Sequence, residues 1–263
     1  MITLFGCGSP NVRKVVILLE ELGLEYETRF VGVMNAAQFE PAFLALNPLG
    51  RVPVIVDPEG PADEAIFESG AILIYLAEVY GHGEFLPAAG AERYAILKWL
   101  MLQMANVGPI FGQNNHFIIT PDHATGYAAR RYREQSARLY RLLDARLAQA
   151  PWLAGGTYSI ADIATYPWVL YAERHGMTWN ELPHLKTWCD RIEARPALAR
   201  VNATMQLLAV DDMKSYATAT QESFDRFFWR EGGDGPRVDR TPMIKDQPKV
   251  DLTPMIADHL KDR

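Results

Sequence analysis

Two hydrophobic periods alternate along residues 1–85, and this alternation limits the folds open to the chain more than any other feature. Short apolar or alternating runs at 2–5, 26–31, 52–57 and 65–68 are typical of strands. Apolar residues at helical spacing follow the first, second and fourth runs, over about 11–22, 38–46 and 69–80. The predicted order β-α-β-α-β-β-α describes a small sheet covered by helices, with its second half arranged as a hairpin.

Strand signals end at a Gly- and Ala-rich segment, 81–92, which indicates a linker. Beyond it, helical spacing predicts helices over 91–105, 127–150, 159–175, 183–195 and 196–208. One of them opens on Ser159 and Asp162, a capping box with Asp in place of the usual Glu. We therefore expect an α+β protein with two domains, 1–85 and 91–210, of which the second is all helical.

The last stretch, 211–263, differs from both domains. Residues 232–236 form a Gly-rich break, and the phrase Thr-Pro-Met-Ile occurs at 241–244 and again at 253–256. The two copies do not make a repeat architecture, but they supply two similar apolar anchors, Met243-Ile244 and Met255-Ile256. Two alternatives stay open: an extended tail that is mostly disordered, or a tail docked on the body or on a partner subunit.

Composition excludes several classes of function. With 26 Lys and Arg against 32 Asp and Glu, the 263-residue chain carries a formal charge of −6, so we expect no nucleic-acid partner. No apolar run approaches the roughly 20 residues of a membrane helix, and the N-terminus lacks the pattern of a secretion signal. Cys7, Cys189 and scattered histidines provide neither a disulfide framework nor metal-ligand spacing. We expect a cytoplasmic protein without a metal, whose chemistry uses a single nucleophile, an acid/base pair or a bound small molecule.

The loop between the first strand and the first helix carries the first candidate site, Ser9-Pro10-Asn11. A helix N-terminus presents free N–H groups and a partial positive charge, which stabilise an anion such as a thiolate. Ser9 adds a hydroxyl donor and Asn11 an amide donor. The alternative is that Asn11 only caps the helix.

Two further candidate sites lie at strand ends or helix starts of the same domain, where α/β domains bind ligands. Pro53 interrupts an apparent inner strand. A cis bond between Val52 and Pro53 would turn the backbone of Val52 toward a peptide-like ligand, whereas the alternative is an edge strand that begins after Pro53. Glu68 and Ser69 stand where the next helix begins. They either cap that helix or form a pocket for an amino acid, with Glu68 near its ammonium group and Ser69 near its carboxylate.

Taken in order, these motifs resemble a cytosolic glutathione transferase over about residues 1–208. The phrase Gly-Pro-Ile-Phe-Gly-Gln-Asn-Asn-His-Phe at 108–117 is similar to one in the bacterial Nu-class transferases, which are related to the fungal nitrogen-regulator prion family. Asn11, Gln38 and the phrase at 151–156 fit that class as well. Its members commonly have Thr-Pro-Asn in the active loop, where this chain has Ser-Pro-Asn and keeps the hydroxyl.

The resemblance implies a thioredoxin-like N-terminal domain that binds the tripeptide glutathione as co-substrate. Ser9 and Asn11 would face the glutathione sulfur as the catalytic pair. Val52, next to the cis Pro53, would pair its main chain with the cysteinyl unit. The γ-glutamyl end would lie against Glu68-Ser69.

The same resemblance implies contacts further from the sulfur. Gln38 and Arg51 would reach the glycine carboxylate. Arg131 would approach from the helical domain, although Arg130 and Arg133 lie close by and an exposed helical face is the alternative. The candidates for the pocket of the second substrate are Gln113, Asn114 and His116.

The activity implied is that of a homodimeric glutathione-dependent enzyme. It would reduce disulfide bonds by thiol-disulfide exchange, or carry out conjugation or lyase chemistry on hydrophobic electrophiles, or both. The alternative is a glutathione-binding regulatory or interaction module with little turnover. Cys7 is either a redox thiol or a small buried residue under the loop, and Ser9 favours the second interpretation because it occupies the position of a thioredoxin-type nucleophile.

Overall fold

The computed structural model describes residues 1–120 and 125–229. Its first part contains a four-stranded mixed sheet with the strand order β2-β1-β3-β4. The strands are β1 (Ile2–Gly6), β2 (Tyr26–Phe30), β3 (Val54–Val56) and β4 (Ile66–Phe67). β1 and β2 are parallel, whereas β3 is antiparallel to both β1 and β4. The parallel pair requires a crossover, and helix α1 (Pro10–Leu22) supplies it.

The position of the third strand decides whether Val52-Pro53 precedes an edge strand or an inner strand. The bond between these residues is cis. β3 begins only at Val54, and it lies between β1 and β4. The interpretation as an edge strand is therefore wrong, because an inner strand starts directly after Pro53. Pro53 has no N–H to donate to a neighbouring strand, which is why it lies outside the paired register.

The helix predicted over 38–46 is broken into short pieces. Two 3₁₀ turns, Val33–Asn35 and Ala37–Phe39, precede the four-residue helix α2 (Pro41–Leu44). Glu40 is extended because the proline that follows it disfavours a helical backbone at that position. The third helix of the domain, α3 (Ser69–Val79), agrees with the prediction and packs against α1.

The second part of the chain is helical, as predicted. A π-helical turn, Gln103–Val107, joins its first two helices. The helices are α4 (Ala91–Leu102), α5 (Gly108–Ile119), α6 (Tyr127–Leu147), α7 (Ile160–Val169), α8 (Pro183–Glu193), α9 (Pro196–Thr218) and α10 (Gln221–Phe227). The fold thus consists of a thioredoxin-like domain followed by a helical domain. Within the described ranges, no helix has both the length and the apolar character needed to cross a membrane.

The C-terminal boundary differs from the prediction. Helix α9 continues past 208 to Thr218, because Ala209, Asp212 and Tyr216 are buried at helical spacing. The domain boundary expected at 210 falls within this helix, and α10 follows it. The repeated phrase with Met243-Ile244 and Met255-Ile256 lies outside the described residues.

Two apolar clusters hold the described residues together. The larger one runs through both domains, from Leu4 in β1 to Trp188 in α8 and Leu208 in α9. The smaller one, called here the second core, lies beneath the sheet end that carries the Ser9 loop. Its buried members are Cys7, Val31, Val33, Met34, Phe43, Val54, Tyr216 and Phe224. The two domains therefore share their packing rather than each burying a separate core.

Candidate active site

Ser9 is the N-cap of α1. Its backbone is extended, its Oγ accepts a hydrogen bond from the N–H of Val12 at 3.3 Å, and Pro10 occupies the first helical turn. The Ser9 N–H donates to the carbonyl oxygen of Cys7 at 2.7 Å, which tightens the loop between β1 and α1. Because the hydroxyl acts as an acceptor in the cap, its own proton can be donated either to the sulfur of Cys7 or to an anion at this helix N-terminus.

Asn11 does not cap the helix, which was the simplest alternative role for it. Its Oδ1 accepts a hydrogen bond from Nε1 of Trp168, on α7, at 2.9 Å. The bond assigns the acceptor side of the amide, so Nδ2 is the donor that the side chain can offer. Trp168 was not among the predicted site residues, because a contact across 157 positions leaves no local signal.

Cys7 is buried beneath the Ser9 loop, as the second interpretation of this residue expected. Burial raises the pKa of its thiol, and the nearby Asp212 carboxylate raises it further. The thiol is therefore protonated at neutral pH and is a poor nucleophile. Cys189 is also free and buried.

Asp212 fixes the loop from the opposite domain. Its Oδ2 accepts a hydrogen bond from the N–H of Gly8 at 2.7 Å, and the side chain is 8 % exposed. Burial raises the pKa of this carboxyl to about 7. A Cβ at position 8 would collide with the same oxygen, so the close approach requires glycine there. Nothing in the sequence near Gly8 predicts this contact.

Glu68 and Ser69 directly follow β4, which pairs with the strand that begins after Val52-Pro53, and Ser69 is the first residue of α3. Glu68 is exposed, has a φ of 68° and makes no side-chain cap, so simple capping does not explain it. A positive φ is uncommon for a residue with a side chain, and strained residues of this kind cluster at functional sites. Ser69 is buried as the first residue of the helix.

Lys14 lies beneath Ser69 and was not predicted as a site residue. Its Nζ donates to Oε1 of Gln103 at 2.9 Å and to Oγ of Ser69 at 3.3 Å. The side chain is 1 % exposed, and burial lowers its pKa to about 7 against the opposing effect of Glu68. The available signal was a lysine three positions after Asn11 and four before the buried Leu18, on an otherwise apolar helix face.

The predicted contacts for the glycine carboxylate lie on neighbouring loops. Gln38 is buried in a 3₁₀ turn, and its Oε1 has no hydrogen-bond partner in the described part of the chain. The side chain of Arg51 is exposed. The carbonyl oxygen of Arg51 accepts a hydrogen bond from Nδ2 of the buried Asn47 at 2.7 Å, which anchors the loop before Val52.

The candidates on the helical domain are spread over two helices. Arg131 is exposed on α6. On α5, Gln113 is exposed and Asn114 is buried, while the ring of His116 lies 5.5 Å from that of Phe228. Arg131 stays a prediction for glutathione binding, and Gln113, Asn114 and His116 stay predictions for the pocket of the second substrate.

Among the described histidines, His175 has the clearest structural role. Its ring lies between the hydroxyl of Tyr140, at 2.9 Å, and Oδ1 of Asn115, at 3.0 Å. Burial lowers the pKa of His175 to about 3, so it is neutral at physiological pH.

A cleft of about 600 Å³ opens beside Ser9, between α1, α7 and α9. Its walls combine apolar side chains with charges of both signs, among them Arg13 and Glu193. The lining residues are Gly8, Ser9, Pro10, Arg13, Pro167, Leu170, Tyr171, Glu173, Arg174, Glu193, Asn202, Met205, Gln206 and Ala209. Gln113, Asn114 and His116 are not among them. Over the two described ranges, no group of three or more His, Cys, Asp or Glu side chains is arranged to hold a metal ion.

Comparison with known families agrees with this arrangement. Residues 1–78 match the family model of the glutathione S-transferase N-terminal domain, and residues 109–196 match that of the C-terminal domain. The chain belongs to the glutathione S-transferase family. The predicted resemblance is confirmed, and the Ser9 loop, the cis Val52-Pro53 bond and the Glu68-Ser69 pair all fall within the N-terminal match.

Several glutathione S-transferase relatives are similar over much of the chain. The disulfide-bond oxidoreductase YfcG of Escherichia coli is 42% identical over 79% of this chain and 97% of its own length. A Pseudomonas fluorescens family member, solved with two glutathione bound, is 39% identical with a TM-score of 0.70, over 76% of this chain and 91% of that one. A Pseudomonas putida glutathione transferase was solved with one glutathione disulfide bound per subunit. It is 37% identical with a TM-score of 0.70, over 76% of this chain and 90% of that one.

Proposed function

We propose that this protein is a glutathione-dependent enzyme of the Nu-class type, which holds glutathione as a thiolate and uses it to reduce disulfide bonds. The observation that carries the proposal is the Ser9 hydroxyl, which caps α1 at the edge of the 600 Å³ cleft. The protein's own thiol in this loop, Cys7, is buried and protonated, so the reactive sulfur has to come from the ligand.

The helix N-terminus provides the electrostatic part of the reaction. A free thiol has a pKa of about 8.5 and is only slightly ionised at neutral pH. The Ser9 hydroxyl, the Nδ2 donor of Asn11 and the partial positive charge of α1 favour the thiolate, at about 1.4 kcal/mol per unit of pKa. That thiolate attacks one sulfur of a disulfide and forms a mixed disulfide, while the other sulfur leaves as a thiolate. A second glutathione thiolate then releases the reduced substrate and glutathione disulfide.

The remaining residues would position the tripeptide. Next to the cis Pro53, the main chain of Val52 lies outside the strand pairing and is available to the cysteinyl unit. Glu68 is exposed to receive an ammonium group, and Ser69 lies beside it at a helix N-terminus to receive a carboxylate. Gln38 brings an amide, and Arg51 a cation, toward the glycine carboxylate.

The substrate side of the site supports a disulfide with polar ends. The cleft beside Ser9 contains Arg13 and Arg174 as well as Glu173 and Glu193, which suit a charged peptide-like molecule better than a purely apolar one. The relatives named as a disulfide-bond oxidoreductase and solved with glutathione disulfide support the same reaction class. Conjugation or lyase chemistry on a hydrophobic electrophile is the second candidate, favoured by Leu170, Tyr171 and Met205 in the same cleft.

We further infer a homodimer in the cytoplasm. The family resemblance supports the dimer, which a light-scattering mass at micromolar protein would test. The two free, buried cysteines support a reducing compartment. Arg131 is proposed to bind glutathione from the helical domain, and Gln113, Asn114 and His116 are proposed to line the pocket of the second substrate.

The test is reduction of a model disulfide, 2-hydroxyethyl disulfide, by glutathione with the protein as catalyst. We expect turnover by the natural protein, retained turnover in Ser9→Thr, and a loss of roughly a hundredfold in Ser9→Ala, because one anion-stabilising donor is removed. Asn11→Ala should add a further loss. Glutathione binding without turnover would favour a regulatory or interaction module, and absence of binding would refute the proposal.

A further inference from the structure

Lys14 is a buried ionisable group that the proposed reaction does not use. It lies on α1 with its Nζ 3.3 Å from Oγ of Ser69 and 2.9 Å from Oε1 of Gln103. Its side chain is 1 % exposed, and among the described residues no carboxylate forms an ion pair with it. A buried amine without a counterion is costly to charge, so its charged form is favoured when a negative partner from outside the chain comes close.

The direction of the bond to Ser69 matters. An ammonium group has only donors, so Oγ of Ser69 is the acceptor in this contact. The hydroxyl proton of Ser69 therefore points away from Lys14, and in this structure it is donated to Sδ of Met104 at 3.9 Å, a weak acceptor that a carboxylate can replace. A carboxylate is an acceptor only, and it fits a hydroxyl whose proton is oriented in this way.

We propose that Lys14 is the positioning residue of the γ-glutamyl subsite: it orients the Ser69 hydroxyl toward the ligand's α-carboxylate and takes up a proton from solvent when that carboxylate binds. The inference rests on the proposed glutathione site, and it adds a residue that touches Ser69 rather than the ligand. No bond of the ligand is made or broken in this step.

The surroundings of Lys14 support the proton uptake. Burial lowers the pKa of Lys14 to about 7, so near neutral pH the free protein holds this group only partly protonated. Glu68, the residue before α3, favours the charged form. The π-helical turn contributes Gln103, which does not titrate, and no charged group on α7 or α9, the other described helices packed on α1, shifts it. A second carboxylate beside Ser69 would raise the pKa and fill the proton site.

The experiment is titration calorimetry of the full chain at pH 7.5 with S-methylglutathione, whose sulfur cannot ionise. Repeating it in phosphate and in Tris, which differ in ionisation enthalpy, gives the number of protons exchanged. We expect uptake of roughly half a proton or more by the natural protein. The matched ligand, S-methylglutathione without its α-carboxylate, should bind with no comparable uptake.

The matched variants are Lys14→Met and Lys98→Met, the second of which removes an exposed lysine from α4. Lys14→Met should bind S-methylglutathione roughly tenfold or more weakly, without proton uptake, because a charge-assisted hydrogen bond is lost. Its affinity for the ligand without the carboxylate should change little, which separates positioning from general damage to the fold. Lys98→Met should behave like the natural protein.

Different failures remain distinguishable. If the natural protein binds S-methylglutathione without proton uptake, or if Lys14→Met weakens both ligands equally, the inference about Lys14 is overturned and the proposed function stands. If the natural protein does not bind S-methylglutathione, the glutathione site itself is refuted. Should Lys14→Met fail to fold, the comparison of the two ligands on the natural protein decides alone.

Discussion

Cys7 and Ser9 lie two positions apart, but their surroundings give them opposite chemistry. The Cys7 thiol is buried under the loop, and burial keeps its pKa above the ordinary value. Ser9 lies at the helix N-terminus beside the cleft. A short distance in sequence therefore separates a residue that packs from a residue that can stabilise an anion.

Replacing Cys7 should leave disulfide reduction intact. We expect Cys7→Ala to keep kcat/KM within about twofold of the natural protein, because a buried, protonated thiol takes no part in exchange. Its stability should fall by about 1 kcal/mol for the lost volume. The measurement is glutathione-dependent reduction of 2-hydroxyethyl disulfide. A loss of kcat/KM comparable to that in Ser9→Ala would assign Cys7 a redox role.

Asp212 should make stability depend on pH. Its folded pKa of about 7 lies above the ordinary value of 3.8, so its contribution is fully present below about pH 4 and is lost as the pH rises toward 7. Asp212→Asn keeps an oxygen to accept from Gly8 but cannot ionise. The free energy of unfolding of the natural protein should therefore fall, relative to the variant, by on the order of 2–4 kcal/mol between pH 4 and 7.5.

Urea unfolding of both proteins across that pH range measures the difference. Asp162 is also buried with a raised pKa, and it affects both proteins in the same way. The difference between them therefore isolates Asp212. A constant difference at all pH values would contradict the raised pKa of this carboxyl.

Sequence reasoning at the level of single residues is most informative where the signal is local. Ser9, the Val52-Pro53 bond and Glu68-Ser69 each stand at a strand end or helix start, where neighbouring residues mark the position. Lys14 and Asp212 were missed because their partners, Gln103 and Gly8, lie 89 and 204 positions away. No local pattern encodes such pairings.

At the scale of elements, the capping box that opens α7 is the best example of a local rule with distant consequences. Asp162 accepts from the N–H of Ser159 at 3.1 Å, which confirms the predicted box. The same carboxylate also accepts from the N–H of Leu153 and from Nε1 of Trp188, both at 2.9 Å. The box therefore ties the start of α7 to the preceding loop and to α8.

Removing this carboxylate should be severe. We expect Asp162→Ala to lose about 3 kcal/mol or more of stability, because several buried N–H donors would be left without an acceptor. Asp190→Ala is the control: it removes an exposed pair with Lys186, at 2.6 Å, and should cost less than about 1 kcal/mol. Urea unfolding of the two variants makes the comparison, and equal losses would contradict the special place of Asp162.

The elements also show where periodicity stops being informative. Periodicity predicted the bounds of α3 almost to the residue, because the loops on either side of this apolar run leave little choice of where the helix begins and ends. It missed the break before Pro41, where a proline and an extended Glu40 outweigh the pattern. It also ended α9 too early, because the buried Asp212 and Ser215 look like surface residues in sequence.

At the scale of the whole molecule, the second core joins the two ends of the described chain. Phe224 of α10 is 1 % exposed among residues of the first domain, including Val33 and Phe43. The C-terminal helices are therefore part of the support beneath the Ser9 loop. The segment beyond residue 210 therefore includes packed structure and is not only a tail.

Truncating Phe224 should loosen the first domain. We expect Phe224→Ala to cost about 3 kcal/mol or more, and to speed alkylation of Cys7, which shares its cluster. Trp229→Ala is the control, since Trp229 is 67 % exposed. Urea unfolding and mass spectrometry of the alkylated peptide give the two readouts. Unchanged protection of Cys7 would show that α10 contributes little to this core.

The hydrogen bond between Gly8 and Asp212 has a consequence for the order in which the protein is made. The chain leaves the ribosome from its N-terminus, so Gly8 emerges 204 residues before its partner. The first domain can form its sheet early, but its Ser9 loop lacks this anchor until α9 has been synthesised and has packed against α1. The proposed capacity to hold a thiolate is thus completed only after α9 has been translated, which limits the time during which a half-made chain can capture glutathione.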